Sequence, residues 1–301
     1  MKKIFAIALL LVVFLSIRMN AQDKKDDRIR VIAILAHPDD GDVKMGGTAA
    51  LLAKMGVSVK FVSLTNGDAG HYKEGGGVLA QRRRAEAQRA AKKYGIDEYL
   101  VLDNHDGELQ PDLHVRLQII REIRKWNADV VIGMRSNDYH PDHRNSGKLV
   151  EDASYMVAVP NVADDVPALK KNPLFLYMQD HFKKPNPLSH DIVVGIDEVV
   201  DLKLDGMNEH VSQMFEWLPW INNGGEVDKS VPTDPVERKE WLKKRWIDRS
   251  IISAEQRAGL EKWYGKEKAA TFKYAESFEI TEYGSQPTEA DIRRLFPMLK
   301  K

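Results

Sequence analysis

Six consecutive apolar residues, Val31-Ile-Ala-Ile-Leu-Ala36, constrain this chain more than any other feature. Side chains alternate between the two faces of a strand, so a strand with no polar residue must be covered on both sides. The segments that follow supply that cover. A helical pattern runs from about Val43 to Met55, and Val57–Leu64 is a second, β-branched strand. Thr65–Val78 is rich in glycine and reads as loop, and Leu79–Tyr94 is helical and ended by Gly95. Tyr99–Leu102 is a short strand, Asp112–Trp126 a helix and Asp129–Met134 another buried strand. Strands alternating with helices at this spacing predict βαβ units, right-handed crossovers and a mostly parallel sheet with helices on both faces, an α/β architecture.

Further on, Leu174–Met178 and Ile192–Ile196 read as two more strands, and about Glu198–Glu216 as helix. After Pro219 the pattern changes to Gly224-Gly225, Pro232 and Pro235, then a charged helix over about Val236–Lys268. Residues 30–218 are therefore expected to form the core, and residues 219–301 a helical C-terminal extension packed on it. At the other end, Lys2-Lys3 precede an apolar run, Ile4–Ile17, that is too short to span a bilayer. That is the pattern of a secretory signal peptide, expected to be cleaved after Ala21. Residues 22–29 are then a charged leader, and the expected location is secreted or periplasmic, with no membrane span once the signal is removed. Cleavage takes away Lys2, Lys3 and Arg18 and no acid, so the balance of 45 basic and 45 acidic residues moves to a net charge of −3. Such a charge argues against a nucleic-acid partner. The absence of cysteine excludes a disulfide scaffold, thiolate zinc sites and a cysteine nucleophile.

The chemistry is concentrated just past two strands. Ala36-His-Pro-Asp-Asp40 follows the first strand, and Tyr139-His-Pro-Asp-His143 follows the strand at Val130–Met134. Ligands of open α/β sheets bind beyond the carboxyl ends of the strands, so the two clusters can converge. Each His-Pro step biases the histidine backbone toward extended geometry, which suits a loop turned into a crevice. Two histidines and a carboxylate around an ion with one open position describe a catalytic zinc site. The chain order offers His37, Asp40 and His143 as ligands, leaving Asp39 and His140 as acid/base groups beside the metal. The same donors also fit a 2-His-1-carboxylate iron site.

His37-Pro-Asp-Asp-Gly-Asp-Val-Lys-Met-Gly-Gly-Thr48 resembles the signature of the LmbE-like, or PIG-L, de-N-acetylases. The resemblance continues through Thr65-Asn-Gly-Asp-Ala-Gly70, Arg83-x-x-Glu86, Asp106-Gly107 and Asp138-Tyr-His-Pro-Asp-His-Arg144. It ends at Lys203 and His210-Val-Ser-Gln213, and so covers about Arg30–Met214. Asp42 stands where the family often has Glu. The resemblance implies a Rossmann-like three-layer sandwich and a zinc hydrolase that removes acetyl from an amino sugar such as an N-acetylglucosamine compound or glycoconjugate. By position it implies that His37, Asp40 and His143 bind zinc and that Asp39 is the general base. It also implies that His140 steadies the oxyanion or protonates the amine, and that Asp142 orients a histidine. The neighbouring Asp142 is expected to raise the pKa of His140 and make it cationic at neutral pH.

The supporting residues carry two readings each. Arg83 binds substrate or pairs with Glu86 at the surface. Asp106 receives sugar hydroxyls or makes a plain turn, and His210 lines the pocket or has a surface or capping role. Gly46-Gly47 inside a helix cost about 1 kcal/mol each relative to alanine, which suggests close packing near the site. His105 falls outside the pattern, and His71, His114, His181 and His190 read as structural or solvated. Two other functions fit the same fold: a metal-dependent hydrolase of another small amide or ester, and a non-catalytic sugar-binding protein. Retention of Asp39 and His140 counts against the second, because a binder needs neither a base nor an oxyanion group.

Overall fold

The apolar run at residues 31–36 becomes β1 (Arg30–Leu35), the middle of the parallel part of a seven-stranded sheet. The computed structural model describes residues 27–248 and 250–299; the expected signal peptide and most of the charged leader lie outside these. β1 pairs in parallel with β2 (Ser58–Thr65) on one side and β4 (Val130–Gly133) on the other, with Val31 opposite both Val59 and Val130. β3 (Glu98–Asn104) extends the sheet beyond β2, and β5 (Leu174–Met178) extends it beyond β4, both in parallel. β7 (Ala275–Gly284) is the antiparallel member, seated between β5 and β6 (Ile192–Gly195). The order is β3-β2-β1-β4-β5-β7-β6.

Alternation along β1 divides the core in two. Val31, Ala33 and Leu35 pack with Ala49 and Leu52 of α1 (Asp40–Lys54), Ala87 and Tyr94 of α2 (Gly76–Tyr94), and Leu204 of α5 (Val200–Glu209). Ile32 and Ile34 face the other way, onto Ile119 and Ile123 of α3 (Leu113–Trp126) and Leu149 and Ala153 of α4 (Pro141–Met156). Each fully buried Ile or Leu contributes roughly 1.5–3 kcal/mol, which explains why Val31–Leu35 of β1 holds no polar residue.

Beyond Pro219 the structure differs from the expectation. The expected charged helix is broken into α7 (Pro235–Leu242), a π-helical turn at Lys243–Ile247, α8 (Ala254–Tyr264) and α9 (Lys266–Thr271). Ser253 and Gln256 form a reciprocal capping box that starts α8, and Gly265 at φ 81° separates α8 from α9. The segment does more than pack on the core. It supplies β7 to the interior of the sheet, and after it α10 (Glu289–Leu295). The helix expected over Glu198–Glu216 is also interrupted: α5 ends at Glu209, and a π-helical turn at Ser212–Trp217 leads into α6 (Leu218–Asn222). Trp217 and Trp220 stack with each other, and Trp220 stacks on Tyr72 of the glycine-rich loop. Among the described residues no helix is long and apolar enough to cross a membrane.

Candidate metal and catalytic site

Both His/Asp motifs leave neighbouring strands at their carboxyl ends, β1 and β4, and they meet there. After β1 the chain makes a tight turn, with the Asp39 backbone N–H donating to His37 O at 3.0 Å, and then enters α1. After β4 it turns through Asp138 and Tyr139 into α4, with His140 as N-cap and Pro141 in the first turn. His37 Nδ1 lies 3.2 Å from His143 Nε2. The Asp40 carboxylate bridges the pair, with Oδ1 3.3 Å from His143 Nε2 and Oδ2 3.6 Å from His37 Nδ1.

These spacings suit a metal ion. Donors about 2.0–2.1 Å from a tetrahedral centre stand about 3.3–3.4 Å apart. The far nitrogen of each ring also lies on a carboxylate, as metal-binding histidines require. His37 Nε2 is 3.0 Å from Asp106 Oδ1 and 3.2 Å from Asp142 Oδ2. His143 Nδ1 is 3.0 Å from Asp138 Oδ1, close but off the hydrogen-bond axis of the ring. Two other sets, His37–His140–His143 and His37–Asp106–Asp142, also gather donor atoms within 4.8 Å. The second is poorly suited to a metal. Asp142 is fully buried and already accepts from the backbone N–H of Gly107 at 2.7 Å and of Leu109 at 3.2 Å. The His/Asp cluster is thus able to hold a metal, and His37, Asp40 and His143 stand together within it.

Charge in the site is tightly organised. Burial opposes charge on His143, yet the carboxylates of Asp40 and Asp138 push it up to about 9. Burial likewise opposes charge on His37, but Asp106, Asp142 and Asp40 raise it. A cation seated between the rings would displace those protons, since metal ligands must be deprotonated. Burial also works against ionised Asp106, but His37 and Arg83 hold it down at about 2. Asp39 behaves differently: burial lifts it to about 6 despite Arg83, whose Nη2 is 3.3 Å from Asp39 Oδ1. Its backbone at φ 157°, ψ −20° lies outside the regions that L-residues favour, a cost of order 1–3 kcal/mol of the kind concentrated at functional sites.

His140 departs from expectation. Its Nδ1 accepts a hydrogen bond from the Asp142 backbone N–H at 3.2 Å, as the N-cap of α4. Burial, followed by the positive His37 and His143, lowers its pKa below the usual 6.5, outweighing the Asp142 and Asp106 carboxylates. The ring is therefore neutral at pH 7, not cationic. With Nδ1 accepting, the proton sits on Nε2. Sequence reasoning counted the acidic neighbour but could not see the two rings packed against it or the capping bond.

Arg83, Asp106 and His210 are buried. Arg83 is 2% exposed; it donates to Gly67 O and Pro38 O at 3.2 and 3.3 Å and approaches Asp106 Oδ2 at 3.5 Å. It does not pair with Glu86, which instead accepts from the Ser212 N–H and hydroxyl. Asp106 has one oxygen on His37 and the other near Arg83. His210 is fully buried, with Nε2 3.0 Å from Asp42 Oδ1, and Asp42 in turn accepts from Tyr99 Oη at 3.1 Å. Arg83 and Asp106 thus contact Asp39 and His37, while His210 contacts Asp42. Sequence reasoning gave no role to Asp138 or to exposed Tyr139, whose ring centroid is 5.8 Å from that of His140. The Asp138-x-His140 spacing was the available signal. His105, also left aside, pairs through Nδ1 with Asp68 Oδ2 at 2.7 Å on the rim.

Comparison with known proteins agrees with this geometry. The PIG-L family, described as GlcNAc-PI de-N-acetylase, matches residues 32–154. The diacetylchitobiose deacetylase of Thermococcus kodakarensis is 31% identical over 208 residues, 65% of this chain and 76% of that protein. The chain belongs to the PIG-L family. Among solved structures, the N,N'-diacetylchitobiose deacetylase of Pyrococcus horikoshii superposes with a TM-score of 0.60 at 27% identity, covering 86% of both chains. The 4-carboxy-2-hydroxymuconate hydratase GalB of Pseudomonas putida KT2440 also superposes at 0.60, with 18% identity and coverage of 86% of this chain and 99% of that one. At that identity the likeness is one of fold alone, and fold does not determine the reaction.

Proposed function

We propose that this PIG-L family member is a zinc-dependent hydrolase that removes the N-acetyl group of an N-acetylglucosamine-type amino sugar or glycoconjugate. The observation that carries this reading is the His37–Asp40–His143 triangle, flanked by Asp39 and by His140 with its proton on Nε2. The identity to a diacetylchitobiose deacetylase supports the substrate class.

When bound, zinc supplies a Lewis acid that polarises the amide carbonyl and acidifies a water. The chain's own residues do the rest. Asp39, lifted to about 6 yet mostly ionised at pH 7, accepts the proton of the attacking water. The carbonyl carbon becomes tetrahedral and its oxygen gains negative charge, to which His140 Nε2–H donates. The C–N bond then breaks, and the proton held on Asp39 passes to the amine, leaving acetate and a free amino sugar. Asp142 and Asp106 hold the His37 ring, Asp138 stands behind His143, and Arg83 restrains Asp39. Export through the N-terminal segment belongs to the same reading, supported by Lys2-Lys3 and the apolar run to Ile17.

The direct test is to measure zinc content and acetate release from N,N'-diacetylchitobiose and N-acetylglucosamine with protein beginning at Gln22. One zinc per chain and zinc-dependent acetate release are expected. Stoichiometric zinc without acetate release from either sugar would overturn the amino-sugar reading.

A further inference from the structure

Helix α1, which begins at Asp40, is broken. Met45 has φ −146° and ψ 15°, far from helical values, so the first turn carrying Asp40 and Asp42 points differently from the rest. In an unbroken helix the Val43 carbonyl would accept from the Gly47 N–H, and the Lys44 carbonyl from the Thr48 N–H. Here both N–H groups donate to one side chain. Gly47 N donates to Glu276 Oε1 at 3.0 Å and Thr48 N to Glu276 Oε2 at 2.6 Å. The freed Val43 carbonyl accepts from Lys203 Nζ at 2.7 Å, and Lys203 also donates to Glu276 Oε1 at 2.7 Å.

A single buried ion pair therefore replaces the missing turn. Glu276 caps the start of the second half and Lys203 caps the end of the first, each with the charge that suits that helix end. Both side chains are almost fully buried, at 1% and 6% exposure. They come from β7 and α5, outside residues 32–154, which match the family. Gly46 and Gly47 allow close packing at the break: a Cβ on Gly46 would stand 3.1 Å from Tyr94 Oη, and one on Gly47 3.0 Å from three Ile196 side-chain atoms.

We propose that Lys203 and Glu276 are positioning residues: by clamping the break in α1 they aim Asp39 and Asp40 at the site. This rests on the metal and base roles given above. Neither residue touches the donor triangle, so their effect passes through the backbone of residues 40–48. A buried ion pair is poor evidence for stability on its own, since apolar replacements of similar volume are often neutral. That allows a purely structural role to be separated from a positioning one.

The test compares Glu276→Gln, Lys203→Met and the apolar pair Lys203→Met/Glu276→Leu with the unaltered protein. Melting temperature reports folding; zinc affinity by chelator competition and the visible spectrum of the cobalt(II)-substituted site report the aim of Asp40. In at least the apolar pair, native-like melting is expected with zinc affinity reduced about 10-fold or more, altered cobalt bands, and a fall in kcat at nearly constant KM. A folded variant with unaltered zinc affinity, cobalt spectrum and kcat would overturn the proposal. So would failure of all three variants to fold, which would assign the pair to folding alone. Zinc binding without acetate release by the unaltered protein would remove the amino-sugar reading, while the comparison of metal affinities would still decide this proposal.

Discussion

Replacing His140 with alanine tests the site where structure and sequence expectation disagree. Two interactions end in that ring, and they fail differently. Nδ1 caps α4 by accepting from the Asp142 N–H; losing such a cap costs about 1 kcal/mol. For a chain of this size that lowers Tm by about 2–4 °C. Nε2–H is the remaining donor, and removing one oxyanion donor costs about 10²–10³ in kcat, roughly 2.7–4 kcal/mol. His140→Ala should therefore keep zinc, melt slightly lower and lose at least about 100-fold in kcat. His140→Ser restores a good cap without the donor, so it should recover Tm and leave kcat low. Because the ring is neutral, its loss should remove no alkaline limb from the pH–rate profile. Its folded pKa lies below 6.5, so the unfolded chain takes up the proton more readily. The cap's contribution to stability is therefore complete above about pH 6.5 and is lost as pH falls through the lowered value. The assays are zinc content, calorimetry and acetate release across pH. Undiminished kcat with full zinc would refute the role; lost zinc would make His140 a ligand, through the alternative triplet with His37 and His143.

Further outcomes are expected. His37→Ala and His143→Ala should each lose stoichiometric zinc by elemental analysis, while Asp142→Asn should keep the fold and weaken zinc binding about 10–100-fold. Asp39→Asn should retain zinc and lose turnover. In the unaltered enzyme activity should decline as pH falls through about 6, where Asp39 gains its proton. Arg83→Met, which removes the cation that lowers Asp39, should move that acid limb to higher pH. A chain ended at Leu218 should lack native circular dichroism and be cleaved rapidly by protease, because β6 would lose β7, its sole strand partner among the described residues.

The order of strands and helices up to Gly133 could be read from the chain because it is local, whereas α4, between β4 and β5, was not read. Each apolar run is short, each helix is bounded by its own stop signal, and burial on both faces leaves Val31–Leu35 of β1 no polar residue. β7 was missed although Ser277-Phe-Glu-Ile-Thr281 alternates polar and apolar residues, because it follows a long charged stretch that reads as helix. Its place between β5 and β6 is set by pairings about 80 to 110 residues apart in the chain.

For the site, the sequence alone determined the donor types and the two turns that carry them: His37, Asp39 and Asp40 after one strand, His140, Asp142 and His143 after another. That much follows from residue chemistry and from the rule that such sheets bind ligands at their carboxyl ends. Only the tertiary structure decided which nitrogen of each ring faces its partner, that the His140 pKa is lowered, and that Arg83, Asp106 and His210 are buried. It alone brought Lys203 and Glu276 to a break in α1 more than 150 residues earlier in the chain. The reason is physical. A residue's type fixes what it can bond to, but protonation and aim depend on burial and on charges a few ångströms away, and those neighbours come from distant segments that only folding brings together.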